Sequence, residues 1–270
     1  MNLKRTGLIL ATSALMGFGS MVSFADVNTQ YQDTGYTQTD NMAYNLITNY
    51  KAKLKAANSF SVNEFINYDL SLGDSKMSII TSGASIIEGD KVHSVATSTT
   101  VEDGVQTENE AYDIYRVKVG DVYKQYTITS NGTEVSDGSY QDPRDSYFPI
   151  TYHGNETVTF ENGEYVVKGW LTADDFKELE SVNSGISNIV GNGDDLDLIG
   201  NMPYECRFNA ATGDLTLMTV DMSSLLDSVV SLFAMFMDES QLNSISTSFI
   251  HSTNITIDPT LTVVIPAYLG

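Results

Sequence analysis

Residues 60–72 read Phe-Ser-Val-Asn-Glu-Phe-Ile-Asn-Tyr-Asp-Leu-Ser-Leu, and this stretch decides the fold. Phe60, Val62, Ile66, Tyr68, Leu70 and Leu72 hold the even positions, interrupted only by Glu64. Ser61, Asn63, Asn67, Asp69 and Ser71 hold the odd ones, joined by Phe65. Successive side chains of a strand point to opposite faces, so this alternation predicts one long strand with an apolar and a wet side. Val62, Ile66, Tyr68 and Leu70 then face inward. A slip of one residue would turn the whole set outward, so the register is strongly specified.

The pattern continues downstream. Strands are expected at 77–87, 91–101, 111–119 and 122–130, separated by short turns such as Glu88-Gly89-Asp90 and Gly120-Asp121. Parallel neighbours would need crossovers of about a dozen residues, so tight turns between long strands predict an antiparallel meander. A further hairpin, 157–161 with 164–171, is joined by Asn162-Gly163, the strongest two-residue hairpin signal. Strands at 203–208 and 215–222 meet at a turn around Thr212-Gly213, and strands at 245–257 and 261–265 close the chain.

Helices frame these strands. The first begins at Asp40, where Met42, Leu46, Ile47, Tyr50 and Leu54 share one face, and stops at Asn58-Ser59. Its Lys51, Lys53 and Lys55 lie near the C-terminus, where they complement the helix dipole. A second opens at Thr172, with Asp175 three residues on and Phe176, Leu179, Val182 and Ile186 along one side. A third starts at Ser224 and runs to about 237, with Leu225, Leu226, Val229, Val230, Leu232, Phe233, Met235, Phe236 and Met237 around most of its circumference. So apolar a helix is buried on several sides or covers something apolar. Leu226, Val229, Val230, Phe233 and Phe236 on this helix, with Val62, Ile66, Tyr68 and Leu70 on the sheet, are the candidate lining of a space between them. From the residues alone, that space is equally a packed core or a cavity.

Residues 1–25 read as a secretory signal: Lys4 and Arg5, an apolar stretch, then Ser23 and Ala25 before Asp26. Residues 26–40 read as a flexible leader, and 41–270 as a single domain. The one cysteine, Cys206, lies far from that cleavage site, so the expected product is secreted and not lipid-anchored. A single Cys also excludes an intramolecular disulfide and any multi-cysteine zinc site.

Asp and Glu outnumber Lys and Arg by 35 to 14, a net charge of −21. Losing Lys4 and Arg5 with the signal takes away two positive charges and makes it −23. That balance argues against nucleic acid as a partner, which needs clustered positive charge. A hydrophobic content of 41% is enough for a real core and speaks against disorder. No later segment is long and apolar enough to span a bilayer.

Catalytic signatures are missing. His93 and His251 sit within expected strands as strand-face residues, and His153 belongs to no metal-binding pattern. No G-x-S-x-G elbow places a serine nucleophile. No metal and no cofactor is expected. Asp194, Asp195 and Asp197 form a Gly-rich acidic loop that is either solvated or a calcium loop, and its spacing is not that of an EF-hand. Asn131 and Asn155 head N-x-T sequons, which only a eukaryotic secretory route would use.

The order of elements carries a resemblance. An exported chain runs from an N-terminal helix through a meander of long Ser/Thr-rich strands to a second helix. It then passes through Thr212-Gly213-Asp214-Leu215 and Met218-Thr219-Val220-Asp221-Met222 into a third helix, a last strand and Val264-Ile265-Pro266. Over residues 41–267 this resembles the LolA/LppX-like superfamily of bacterial lipoprotein carriers and lipid-binding lipoproteins, in particular its secreted Gram-positive members. The chain departs from the lipoprotein members in lacking an acylated cysteine. The resemblance implies an α+β fold, a long-stranded antiparallel half-open β-barrel whose concave apolar face lies under an N-terminal helix and two further helices. It also implies a secreted bacterial binding protein, not an enzyme, that holds a lipid or acyl chain between sheet and helices. The alternative is a non-catalytic cell-surface structural or protein-interaction module with a filled interior.

Overall fold

The alternating stretch at 60–72 forms β1 (Ser59–Leu72), the strand on which the whole sheet is organised. The computed structural model describes residues 42–72, 75–120, 122–139, 142–172, 201–224, 227 and 245–269. From β1 the chain meanders through β2 (Ser75–Glu88), β3 (Lys91–Glu102), β4 (Val105–Val119), β5 (Val122–Thr129) and β6 (Gly132–Ser139). It then crosses to the far edge and meanders back through β7 (Thr157–Glu161), β8 (Glu164–Leu171), β9 (Met202–Asn209), β10 (Leu215–Asp221) and β11 (Ile245–Ile257). β11 pairs with β1 over its whole length, Phe60 opposite Ile257 through Leu72 opposite Ile245. The result is one open, antiparallel, 11-stranded sheet in the order β6-β5-β4-β3-β2-β1-β11-β10-β9-β8-β7.

Two meanders joined at β1 and β11 need one long connection, and residues 140–156 supply it. With the N-terminal helix Met42–Ala56 as α1, the short helix of this crossing is α2, Pro143–Tyr147, and Asp142 caps it by accepting from the Arg144 backbone N–H at 2.9 Å. Proline at its first position suits a site where the missing N–H is not needed. Arg144 Nε donates to the Ala57 carbonyl at 2.9 Å and so ties the crossing to the end of α1.

Ala43, Ile47, Tyr50 and Leu54 are the buried face of α1. Their spacing of four, three and four residues keeps them on one stripe. Lys53 pairs with Asp214 in the turn between β9 and β10, which docks the C-terminal end of the helix. The side of the sheet that α1 covers is called inward here. Tyr50, Phe148 of the crossing and Phe208 of β9 meet there edge to face. Tyr50 also carries a buried hydroxyl with no hydrogen-bond partner. A buried unsatisfied hydroxyl costs about 1–3 kcal/mol, so Tyr50→Phe is expected to keep or raise stability by up to about 1 kcal/mol in urea denaturation. A clear loss would mean that the hydroxyl is bonded in solution.

The turns explain what the sequence marked and what it left unmarked. Asn162 and Gly163 both take positive φ, 52° and 84°, as a two-residue hairpin requires. Asp103 and Gly104 do the same at 50° and 82°, so β4 begins at Val105, six residues before the expected start at 111. β6 has a single large apolar residue, Val135, and was not expected as a strand. It is an edge strand, where charge and polarity discourage pairing with another chain.

One expected element is corrected. Residues 261–265 form no ladder and run irregularly into a 3-10 turn, Ala267–Leu269. Both sides of β1 and of β11 are already paired, so the segment after Pro259 has no free edge beside it. It packs instead through Val263 and Leu269, and the Val263 N–H donates to Glu88 Oε2 at 2.9 Å. The expected half-open barrel is, in the described residues, an open sheet whose edges β6 and β7 are not joined. Of the two further helices, the one from Thr172 lies outside the described residues beyond Thr172 itself. The one from Ser224 does too, apart from Ser224 and Asp227, both helical.

Candidate functional site on the inward face

Residues directly opposite each other in an antiparallel sheet share a face, so the inward surface can be followed strand by strand. On β1, Val62, Ile66 and Tyr68 are buried and Leu70 is half-buried, as expected from the alternation. Val62 lies between Ser85 and Ile255, Tyr68 between Ile79 and Phe249, and Leu70 between Met77 and Thr247. The rings of Tyr68 and Phe249 meet at 6.2 Å, and burial pushes the Tyr68 phenol up to about 12. The apolar band continues through Met218 and Val220 on β10, Cys206 and Phe208 on β9, and Val167 on β8. The other nominated lining residues, Leu226, Val229, Val230, Phe233 and Phe236, lie outside the described residues.

A polar inset breaks this band, and Glu64 was its visible sign in the sequence. His251 is buried on the inward face, with Nε2 3.2 Å from Glu64 Oε1 and 3.3 Å from Thr253 Oγ1. It is a satisfied strand-face histidine. Ser85 and Ser94 are buried one rung along, their hydroxyls 2.7 Å apart. The Tyr147 hydroxyl of α2 hydrogen-bonds to both serines. Burial raises its ionisation above the ordinary phenol value, and the charge of Arg116 opposes that rise.

Arg116 is the residue that sequence reasoning missed. It stands on β4 opposite Val92 and Gln125, and it is only 7% exposed. Its Nε is buried without a hydrogen-bond partner, and among the described residues Arg116 forms no ion pair. The one sequence signal was a cation that follows Ile114 and precedes Lys118 on the inward phase of an otherwise ordinary strand.

His93 faces outward, 2.8 Å from Asp113 Oδ1 and stacked on Tyr115 at 4.3 Å. His153 lies in the crossing, where its backbone N–H donates to Glu156 Oε1 at 2.7 Å. Cys206 is buried, and burial pushes its thiol well up, so it is no nucleophile. Among the described residues no group of three His, Cys, Asp or Glu side chains could hold a metal ion. Asp194, Asp195 and Asp197 lie outside the described residues.

A hollow of about 660 Å³ runs across the middle of β2 to β5. Its walls include the outward-facing Ser82, Ala84, Val95, Thr97, Ala111 and Ile128, so none of the nominated lining residues borders it.

No protein-family model and no curated protein matches the chain. Among solved structures, the crystal structure of LprF from Mycobacterium bovis aligns over 83% of this chain and 95% of its own, at 14% identity and a TM-score of 0.35.

Proposed function

We propose that this is an exported binding protein that holds a hydrophobic ligand of the lipid class against the inward face of the sheet. The observation that carries the reading is the mismatch between that face and its cover. Eleven strands about 4.8 Å apart make a sheet about 50 Å wide. The 15 residues of α1, at 1.5 Å each, reach about 22 Å. The apolar band from β8 to β3, interrupted by the polar inset, spans seven strands, about 29 Å, which is more than the length of this helix.

The resemblance of the element order to the LolA/LppX-like superfamily points the same way. The signal-like residues 1–25 support a site of action outside the cytoplasm, and no described helix is long and apolar enough to cross a membrane. The absence of any nucleophile and base signature in the sequence supports a non-catalytic role.

Native mass spectrometry of the exported protein tests the proposal. A co-released adduct of lipid mass, together with saturable uptake of a fluorescent fatty acid, is the expected result. No adduct and no probe uptake would overturn the reading and leave the cell-surface interaction module in its place.

A further inference from the structure

We infer that Arg116 receives the anionic head of the hydrophobic ligand, a carboxylate or phosphate monoester carried on an acyl chain. The inference rests on the binding-protein reading and specifies the class of ligand. A guanidinium stays protonated, and burying it without an opposite charge costs several kcal/mol. Among the described residues the inward face does not meet that cost. Glu64 is engaged by His251, and Glu134, which shares the rung of Ser85 and Ser94 on the edge strand β6, is exposed. Glu110 on β4 accepts from Tyr112 and is exposed.

Among the described residues, the groups beside Arg116 include hydroxyls able to donate, and the Glu64 charge also reaches Tyr147. Tyr147, Ser85 and Ser94 form a hydroxyl cluster on which the charge of Arg116 acts. A planar guanidinium beside hydroxyl donors matches the two oxygens of a carboxylate or phosphate. The rest of the chain is strongly acidic, at −21, so a bare anion would be repelled unless a buried cation and an apolar anchor acted together.

The anchor is next to it. The rung of Arg116 continues through Val92, Ile87 and Phe60, all buried. From that rung to the rung of Ile66 is six residues along and three strands across, or about 25 Å at 3.4 Å per residue and 4.8 Å per strand. That is the scale of an extended long acyl chain. Head at Arg116 and tail toward Ile66, Tyr68 and Leu70 is the geometry proposed.

The test uses delipidated full-length exported protein and displacement of the neutral dye N-phenylnaphthylamine by palmitate, methyl palmitate, palmitoyl lysophosphatidic acid, acetate and inorganic phosphate. Wild type is expected to prefer palmitate or the lysophosphatidic acid over the methyl ester by about tenfold or more. The stronger of the two names the head group. In Arg116→Gln the ratio of acid to ester should fall to near one, and in Arg116→Lys it should be intermediate, because lysine keeps the charge without the fork.

Equal affinity of wild type for acid and ester would overturn the inference while leaving the binding-protein reading standing, and this measurement does not depend on any variant folding. A preference that survives in folded Arg116→Gln would overturn it as well. Displacement by acetate or inorganic phosphate alone, at concentrations matching palmitate, would show a free-anion site and overturn the amphiphile. No displacement by any acyl compound would overturn both readings together.

Discussion

Val62→Asp is expected to leave the chain unfolded at room temperature, whereas Asn63→Asp should change stability by no more than about 0.5 kcal/mol. Val62 is 0% exposed, on the inward face of the strand that joins the two meanders. Its opposite neighbours are Ser85 and Ile255, neither of which carries a charge to meet a carboxylate. An ionised group there costs several kcal/mol even after relaxation. Protonation escapes part of that cost but leaves a polar group in place of a buried valine worth about 1.5–3 kcal/mol. Domains are typically stable by only about 5–15 kcal/mol, so the change removes most or all of it.

Asn63, one residue on, faces outward and is exposed. Far-UV circular dichroism and urea denaturation of the two variants would compare them directly. Equal tolerance would mean that β1 is not held in the register described.

The same alternation shows how far this fold can be read from its residues. Where one face is buried, the pattern is strong, and β1, β2, β9 and β11 fall within about two residues of expectation. The hairpin of β7 and β8 was marked by the backbone demands of Asn162-Gly163 rather than by hydrophobicity. The first half of β4, from Val105 to Glu110, is polar and exposed, and β6 buries almost nothing. Their strand character comes from pairing with a neighbour, which a local pattern does not encode. Residues 261–265 are the opposite case, with apolar residues that look like a strand but find no edge to pair with.

The candidate site divides along the same line. Val62, Ile66, Tyr68 and Leu70 were legible because they sit on one strand. Arg116, Tyr147, Ser85, Ser94 and His251 come from β4, α2, β2, β3 and β11, and only the ladder registers bring them to one face. Glu64 was visible as an interruption, but its partner lies 187 residues away. A side chain such as Arg116 looks like any strand residue until the registers show that its row is buried.

Phe208→Ala is expected to cost about 3–5 kcal/mol, the range for deleting a packed core phenylalanine, and to lower the urea midpoint without changing the slope much. Phe208 stands on β9 in the second meander, Tyr50 on α1 and Phe148 on the crossing that carries the chain from one sheet edge to the other. The three rings meet at 5.0, 5.9 and 6.4 Å, all close to perpendicular. Removing Phe208 therefore loosens the helix, the crossing and the second meander at one point. Phe160 is the comparison, since it is 62% exposed on β7 and Phe160→Ala should stay within about 0.5 kcal/mol. If the three rings act as a unit, Phe148→Ala combined with Phe208→Ala will lose less than the sum of the single changes, because each deletion already opens the same space. Strict additivity would mean that α1 and the crossing are held independently, and a small effect of Phe208→Ala alone would mean that this junction is not packed as described.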